Sequence, residues 1–153
     1  MRKSCKTNRE PRCWKTGMSR RTIVVKVGSS TLTTSDGRVD RAYLGRLIGQ
    51  LSELRASGYA TVLVTSGAVA AGFEALGLES RRRDMPTLQA AASIGQVRLV
   101  ETYAQLASGL DLVVGQVLFT RHDVGHRQQY VNACHTLDRL LDLGAIPIVN
   151  END

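Results

Sequence analysis

Residues 22–30 read TIVVKVGSS, a run of β-branched apolar residues that ends in a glycine and two serines. A short apolar run bounded by turn residues is typical of a buried β-strand. The first strand is predicted over residues 22–28, and the same pattern returns at residues 60–66, 112–120 and 145–150. We therefore predict four short strands, each of which is followed by small or polar residues.

Segments with helical spacing of apolar residues separate these strands. In the first of them, four residues recur at intervals of three and four positions: Leu44, Leu47, Ile48 and Leu51. On the same grounds we predict helices over residues 40–57, 68–76, 87–108 and 128–143. Strands that alternate with helices of this length form βαβ units with parallel strands and right-handed crossovers. The sequence therefore predicts an α/β fold built on a mostly parallel sheet.

The positive charge of the chain is concentrated at one end. The chain has 153 residues and a formal net charge of +6, but residues 1–21 carry +7 and residues 22–153 carry −1. Because the predicted domain is nearly neutral and aromatic residues make up only 5% of the chain, a nucleic-acid partner is disfavoured. No apolar run approaches the roughly 18–20 residues that span a bilayer, so no membrane partner is expected.

Residues 1–21 are predicted to be a basic, disordered arm in front of a single domain over residues 22–153. The arm lacks the apolar segment of a secretory signal. Met18 is a natural start, which would make the residues before it a leader without a folded role. A transit peptide and a nucleic-acid-binding arm are the alternatives.

Cysteine and histidine positions give no sign of a disulfide framework or a metal site. The three cysteines are Cys5, Cys13 and Cys134. The three histidines are His122, His126 and His135. Neither set has the spacing of zinc ligands, and an odd number of cysteines without CxxC pairs favours a reducing cytoplasm. We predict no metal bound by these residues, and we expect the histidines on the surface.

Chemistry-bearing residues follow the predicted strands. Ligands of open α/β sheets bind outside the carboxyl ends of the strands, and these ends carry Lys26, Gly28, Ser66, Gly67 and Asn150. Glycine lets backbone N–H groups approach an anion closely. The pair Ser66-Gly67 also opens a predicted helix, whose N-terminal N–H groups and dipole favour a phosphate or a carboxylate. This edge is therefore a candidate anion site.

Lys26 stands in an otherwise apolar strand. A buried lysine is unfavourable unless it is paired, so its presence favours an anionic ligand or partner. The alternative is a lysine whose ammonium group extends into solvent from an edge strand.

Several familiar motifs are absent. There is no GxxxxGK[ST] phosphate loop and no GxGxxG dinucleotide fingerprint after a strand. Ser66 does not stand in GxSxG, so an anion cradle is favoured over a nucleophile. The run Arg81–Arg83 is interpreted as a solvated loop, with a contact to an oligomer partner or an effector as the alternative.

Five segments together resemble the amino acid kinase family: VVKVGSSTLT at 24–33, VTSGAVAAG at 64–72, ASIGQ at 92–96, VGQVLFTRHD at 114–123 and IPIVNEND at 146–153. Each is weak alone, but their joint order is specific. Within the family they are most similar to the kinases of glutamate. The resemblance implies an αβα sandwich and an enzyme that uses ATP and Mg²⁺ in the cytoplasm. It implies phosphorylation of the γ-carboxylate of L-glutamate to γ-glutamyl phosphate, the first step of proline synthesis.

The resemblance also assigns roles to residues. The lysine that contacts the phosphates falls on Lys26, and the glycines whose amides face the phosphate fall on Gly28 and Gly67. The serine that binds glutamate falls on Ser66 and a further substrate carboxylate on Asp153, with Asn150 beside it.

Two other functions remain as alternatives. The chain could be another amino acid kinase, such as one that acts on acetylglutamate, or a non-catalytic remnant that binds an anion. We expect residues 22–153 to be the N-terminal, glutamate-binding part of a kinase domain, because the family's nucleotide-binding half would follow Asp153. A longer, complete kinase is expected to be a homo-oligomer.

Overall fold

The computed structural model describes residues 21–78, 84–120 and 125–151, with the backbone alone at Glu151. The predicted arm therefore lies outside the described residues except for Arg21. In chain order the elements are β1 (Thr22–Lys26), α1 (Ser29–Leu32), α2 (Arg41–Ala56), β2 (Ala60–Val64), α3 (Ala68–Leu76), α4 (Met85–Ser108), β3 (Val113–Phe119), α5 (Arg127–Asp142) and β4 (Ala145–Glu151).

The four strands form one sheet in the order β1-β2-β4-β3, and every neighbouring pair is parallel. The prediction of an α/β fold on a parallel sheet is confirmed. The order of the strands is set by the crossover from β2 to β3, which leaves room for β4 between them. Lys26 pairs with Val64, and Val64 pairs with Val149. The carboxyl ends of β1, β2 and β4 therefore stand side by side.

Helices pack on both faces of the sheet. On one face, Leu63, Ile146 and Ile148 of the strands are fully buried together with apolar residues of α2 and α4. On the other face, α5 lies against β4 and β3, where Leu140 packs beside Gly115. This second face is less completely covered, since Val24 of β1 is 61% exposed and no residue of α5 is fully buried.

The predicted helices agree with the structure to within one residue at their ends, apart from the start of α4, and one further short helix is present. The single-turn helix α1 was not predicted, because four residues are too few to show a periodicity; it forms where Leu32 packs into the core. Helix α4 begins at Met85 rather than at residue 87. The cause is Asp84, whose carboxylate accepts a hydrogen bond from the Thr87 N–H at 3.1 Å and caps the helix.

Helices α3 and α4 touch backbone to backbone. Gly72 of α3 lies against the carbonyl group of Ala91, and Gly95 of α4 lies against the carbonyl group of Ala68. A Cβ atom at either glycine would overlap these oxygen atoms. The contact holds the first turn of α3, and with it the segment that joins β2 to α3, against a long helix of the core.

Among the described residues, no helix has both the length and the apolar character that crossing a membrane requires. Arg81–Arg83 lie outside the described residues, so their interpretation as a solvated loop stays a prediction.

Candidate functional site

Lys26 ends β1, and its side chain reaches the carboxyl edge of the sheet. The ammonium nitrogen lies 3.8 Å from the place that a Cβ on Gly28 would occupy. The expectation that Lys26 is buried was wrong: it is exposed, on the same face as Val24, because β1 is an edge strand of this sheet. Its position agrees with the alternative prediction, in which the lysine extends into solvent from an edge strand.

Gly67 starts α3 in the left-handed region, with φ of 99°. A residue with a side chain is strained in that conformation, and a Cβ here would come within 3.4 Å of Leu32 Cδ1. The backbone can therefore make this turn only with glycine at low energy. The predicted helix start is confirmed, and the nine residues of α3 align their first N–H groups toward the edge where Ser66 precedes Gly67.

Thr65 and Tyr103 form a buried hydrogen bond beside this turn. The two hydroxyl oxygens are 2.8 Å apart, and the residues are 5% and 0% exposed. The Thr65 hydroxyl also donates to the Ser66 carbonyl oxygen at 3.2 Å. Sequence reasoning missed Tyr103. The signal was a tyrosine four residues after Leu99, on the apolar side of the predicted helix, whose hydroxyl needs a partner when it is buried.

Burial raises the pKa of Tyr103 to about 12 from an ordinary value of 10.0. In the folded chain, we expect the Tyr103 phenol to ionise at a higher pH than an exposed tyrosine, as measured by the absorbance of tyrosinate. The group is protonated in both folded and unfolded chains below pH 10, so its contribution to stability is complete there and is lost as the pH rises from 10 to 12. The variant Tyr103→Phe should lose this late step; a titration curve unchanged by the substitution would contradict the prediction.

Asn150 lies in β4 next to the same edge, is 6% exposed and stands opposite Leu118 of β3. The Thr65 N–H donates to the Val149 carbonyl oxygen at 2.9 Å, which brings Asn150 level with Thr65. The side chains of Asn150 and Lys26 lie on opposite faces of the sheet. Lys26 is in register with Val64 and Val149, and Asn150 is the next residue along β4, where side chains alternate between the faces. Asp153 lies outside the described residues, so its role as a substrate ligand stays a prediction.

The described part of this edge does not fit a bound Mg²⁺ ion. A Mg²⁺ ion on a nucleotide takes one or two protein carboxylates besides phosphate and water, and the predicted site residues within the described ranges include no carboxylate. In residues 21–78, 84–120 and 125–151, no three His, Cys, Asp or Glu side chains cluster as metal ligands would. His126 and His135 are exposed, as predicted; His122 lies outside these ranges.

A cavity of about 470 Å³ lies elsewhere, between α2, α3 and α4. Its charged side chains have partners within the protein. Glu74 accepts from the Val39 N–H at 3.0 Å, Arg41 donates to the Thr102 hydroxyl at 3.3 Å, and Arg98 pairs with Glu101 at 3.7 Å. None of the predicted site residues lines it. The candidate site is therefore the carboxyl edge of β1, β2 and β4.

Comparison with known sequences shows which protein family the chain is similar to. The sequence pattern of the amino acid kinase family matches residues 21–153. A glutamate 5-kinase of Geobacter sp. (strain M21) is 50% identical over 131 residues, which are 86% of this chain and 35% of that protein. A glutamate 5-kinase of Salinispora arenicola is 52% identical over 133 residues, 87% of this chain and 36% of that protein. The chain thus spans about 35% of the length of these curated relatives.

Solved structures agree on the fold. The carbamate kinase of Giardia lamblia, bound to AMP-PNP, superposes with a TM-score of 0.54 at 14% identity, over 88% of this chain and 57% of that one. A second structure of Giardia carbamate kinase gives a TM-score of 0.55 at 12% identity. At this identity the likeness concerns the arrangement of strands and helices alone.

Proposed function

Because this chain belongs to the amino acid kinase family, we propose that it is the N-terminal, glutamate-binding part of a kinase that phosphorylates L-glutamate with ATP. The γ-carboxylate would accept the phosphoryl group, which yields γ-glutamyl phosphate, the first intermediate of proline synthesis. The protein would act in the cytoplasm, and the complete kinase would be a homo-oligomer. Mg²⁺ would accompany the nucleotide and be held by parts of the protein beyond the described residues.

One observation carries the proposal: an ammonium group and a helix N-terminus stand at the carboxyl ends of adjacent strands. Lys26 ends β1 with its nitrogen beside Gly28, and Gly67 turns the chain from β2 into α3. Both features attract anions. The reaction has an anion on each side, since the acceptor is a carboxylate and the donor is a triphosphate.

The chemistry needs little covalent help from the protein. An oxygen of the γ-carboxylate attacks the γ-phosphorus of ATP, the bond to the bridging oxygen breaks, and ADP leaves. No general base is required, because a carboxylate is already ionised near neutral pH. Lys26 and the amides of Gly28 and Gly67 would stabilise the charge on the transferred group. Ser66, Asn150 and Asp153 would hold the amino acid.

A ligand titration of the chain tests this proposal against its alternatives. Calorimetry would compare L-glutamate, N-acetyl-L-glutamate and inorganic phosphate. Saturable binding of L-glutamate, absent with the acetylated compound, is the expected result. Preference for N-acetyl-L-glutamate would assign the chain to kinases of that substrate, and binding of phosphate alone would leave a non-catalytic anion site. Either outcome refutes the proposal, as does a chain that binds none of the three.

The chain spans about 35% of the length of its glutamate 5-kinase relatives, so turnover is measured in a hybrid of their full length. We define the hybrid kinase as the Geobacter sp. (strain M21) relative in which the 131 matched residues of this chain replace the corresponding segment of that protein. In the hybrid kinase, Ser66→Ala should raise KM for L-glutamate, because the loss of a hydrogen bond to a charged group costs about 1.5–3 kcal/mol. KM for ATP should change much less. Ser52→Ala, on α2, is the matched control and should change neither constant. An effect of Ser66→Ala on KM for ATP alone would contradict the assignment.

A further inference from the structure

The Ser66–Gly67 peptide is held by a chain of hydroxyl groups that starts at Tyr103. Thr65 has a single hydroxyl proton, and that proton goes to the Ser66 carbonyl oxygen at 3.2 Å. Either hydroxyl can donate in the 2.8 Å bond between Thr65 and Tyr103. Donation by Tyr103 is the direction compatible with the bond from Thr65 to Ser66, because it leaves the Thr65 proton for that carbonyl oxygen. The order of donation is then Tyr103 hydroxyl to Thr65 hydroxyl to Ser66 carbonyl. We call these three groups the hydroxyl relay.

The relay has a directional consequence for Gly67. The carbonyl of Ser66 and the N–H of Gly67 belong to one peptide plane, and in a trans peptide they point in opposite directions. The relay draws the carbonyl toward the buried side, where Tyr103 is 0% exposed. The Gly67 N–H is consequently turned away from the core. Within the described residues no hydrogen bond uses that N–H, so it is available to a ligand.

We propose that Tyr103 is a positioning residue for the anion site: through Thr65 it fixes the Ser66–Gly67 peptide so that the Gly67 N–H faces the transferred phosphoryl group. This inference rests on the proposed function. It explains why a long core helix places a tyrosine, rather than a purely apolar residue, against the turn after β2. Glycine at position 67 has wide conformational freedom, and without the relay the peptide plane could rotate.

Two readouts test the relay. In the 153-residue chain, the ¹⁵N–¹H resonance of Gly67 should shift in Tyr103→Phe and in Thr65→Val, and remain near its original position in Thr65→Ser, which keeps the hydroxyl. In the hybrid kinase, Tyr103→Phe should lower kcat about tenfold and change KM for L-glutamate less than about threefold, because the contact is made in the transition state. Tyr59→Phe removes a hydroxyl beside the opposite end of β2 and should change neither readout.

Coupling between the residues separates positioning from simple destabilisation. If Tyr103 acts through Thr65, the double variant Tyr103→Phe/Thr65→Val should lose no more turnover than Thr65→Val alone. Multiplying losses, or an unchanged Gly67 resonance in Tyr103→Phe, would overturn the inference. A wild-type chain that binds neither L-glutamate nor phosphate would refute the proposed function instead. The Gly67 resonance, which needs no ligand, would still decide whether the relay exists.

Discussion

Gly95→Ala is expected to destabilise the chain by about 3 kcal/mol or more, although alanine normally favours a helix interior over glycine by about 1 kcal/mol. The reason is the contact between α3 and α4. A Cβ on Gly95 would overlap the carbonyl oxygen of Ala68 and crowd the backbone nitrogen of Gly72. These are backbone atoms that cannot rotate aside, so the two helices must separate. Urea unfolding followed by circular dichroism measures the effect.

A matched helix glycine provides the control. Gly49, inside α2, has nothing within 4 Å of the place its Cβ would occupy. Gly49→Ala should therefore keep or raise the free energy of unfolding, by up to about 1 kcal/mol. Gly72→Ala should behave like Gly95→Ala, because its Cβ would meet the Ala91 carbonyl group from the other helix. If Gly95→Ala and Gly49→Ala were equally stable, the backbone contact would be ruled out.

Lys26→Ala should lower the turnover of the hybrid kinase on the order of 10²–10³-fold, the usual effect of removing one group that stabilises transition-state charge. Its ammonium group beside Gly28 is the cation at the carboxyl end of β1. Lys26 is exposed, so the substitution should leave the free energy of unfolding nearly unchanged. Steady-state ADP release and urea unfolding together separate a catalytic effect from a structural one.

Arg46→Ala is the control for the loss of a positive charge. Arg46 is an exposed residue of α2 that lies over the ring of Tyr43, 5.8 Å from its centroid, and it is not among the predicted site residues. Its loss should change turnover less than about twofold, since exposed charges are screened by salt. If Lys26→Ala retained turnover within a few-fold of the hybrid kinase, Lys26 would not be the phosphate-binding lysine.

Two of the segments that carry the family resemblance contain glycines whose role the sequence alone does not explain. Gly72 ends VTSGAVAAG and Gly95 stands in ASIGQ. Their spacing shows nothing about a contact, because the two residues lie on different helices. The structure explains them: each glycine admits the backbone of the other helix, and the pair anchors the first turn of α3. The turn at Gly67, in contrast, could be predicted from a glycine between a strand and a helix.

Local sequence determined the strands, the four longer helices and the parallel character of the sheet, since these depend on residues a few positions apart and on the lengths between them. The local sequence also places Lys26, Ser66 and Gly67 at the ends of strands. The tertiary structure alone decided the strand order β1-β2-β4-β3, the exposure of Lys26 on an edge strand, and the bond from Tyr103 to Thr65 across 38 positions. Such contacts form between residues far apart in the chain, and no local periodicity encodes which of them will meet.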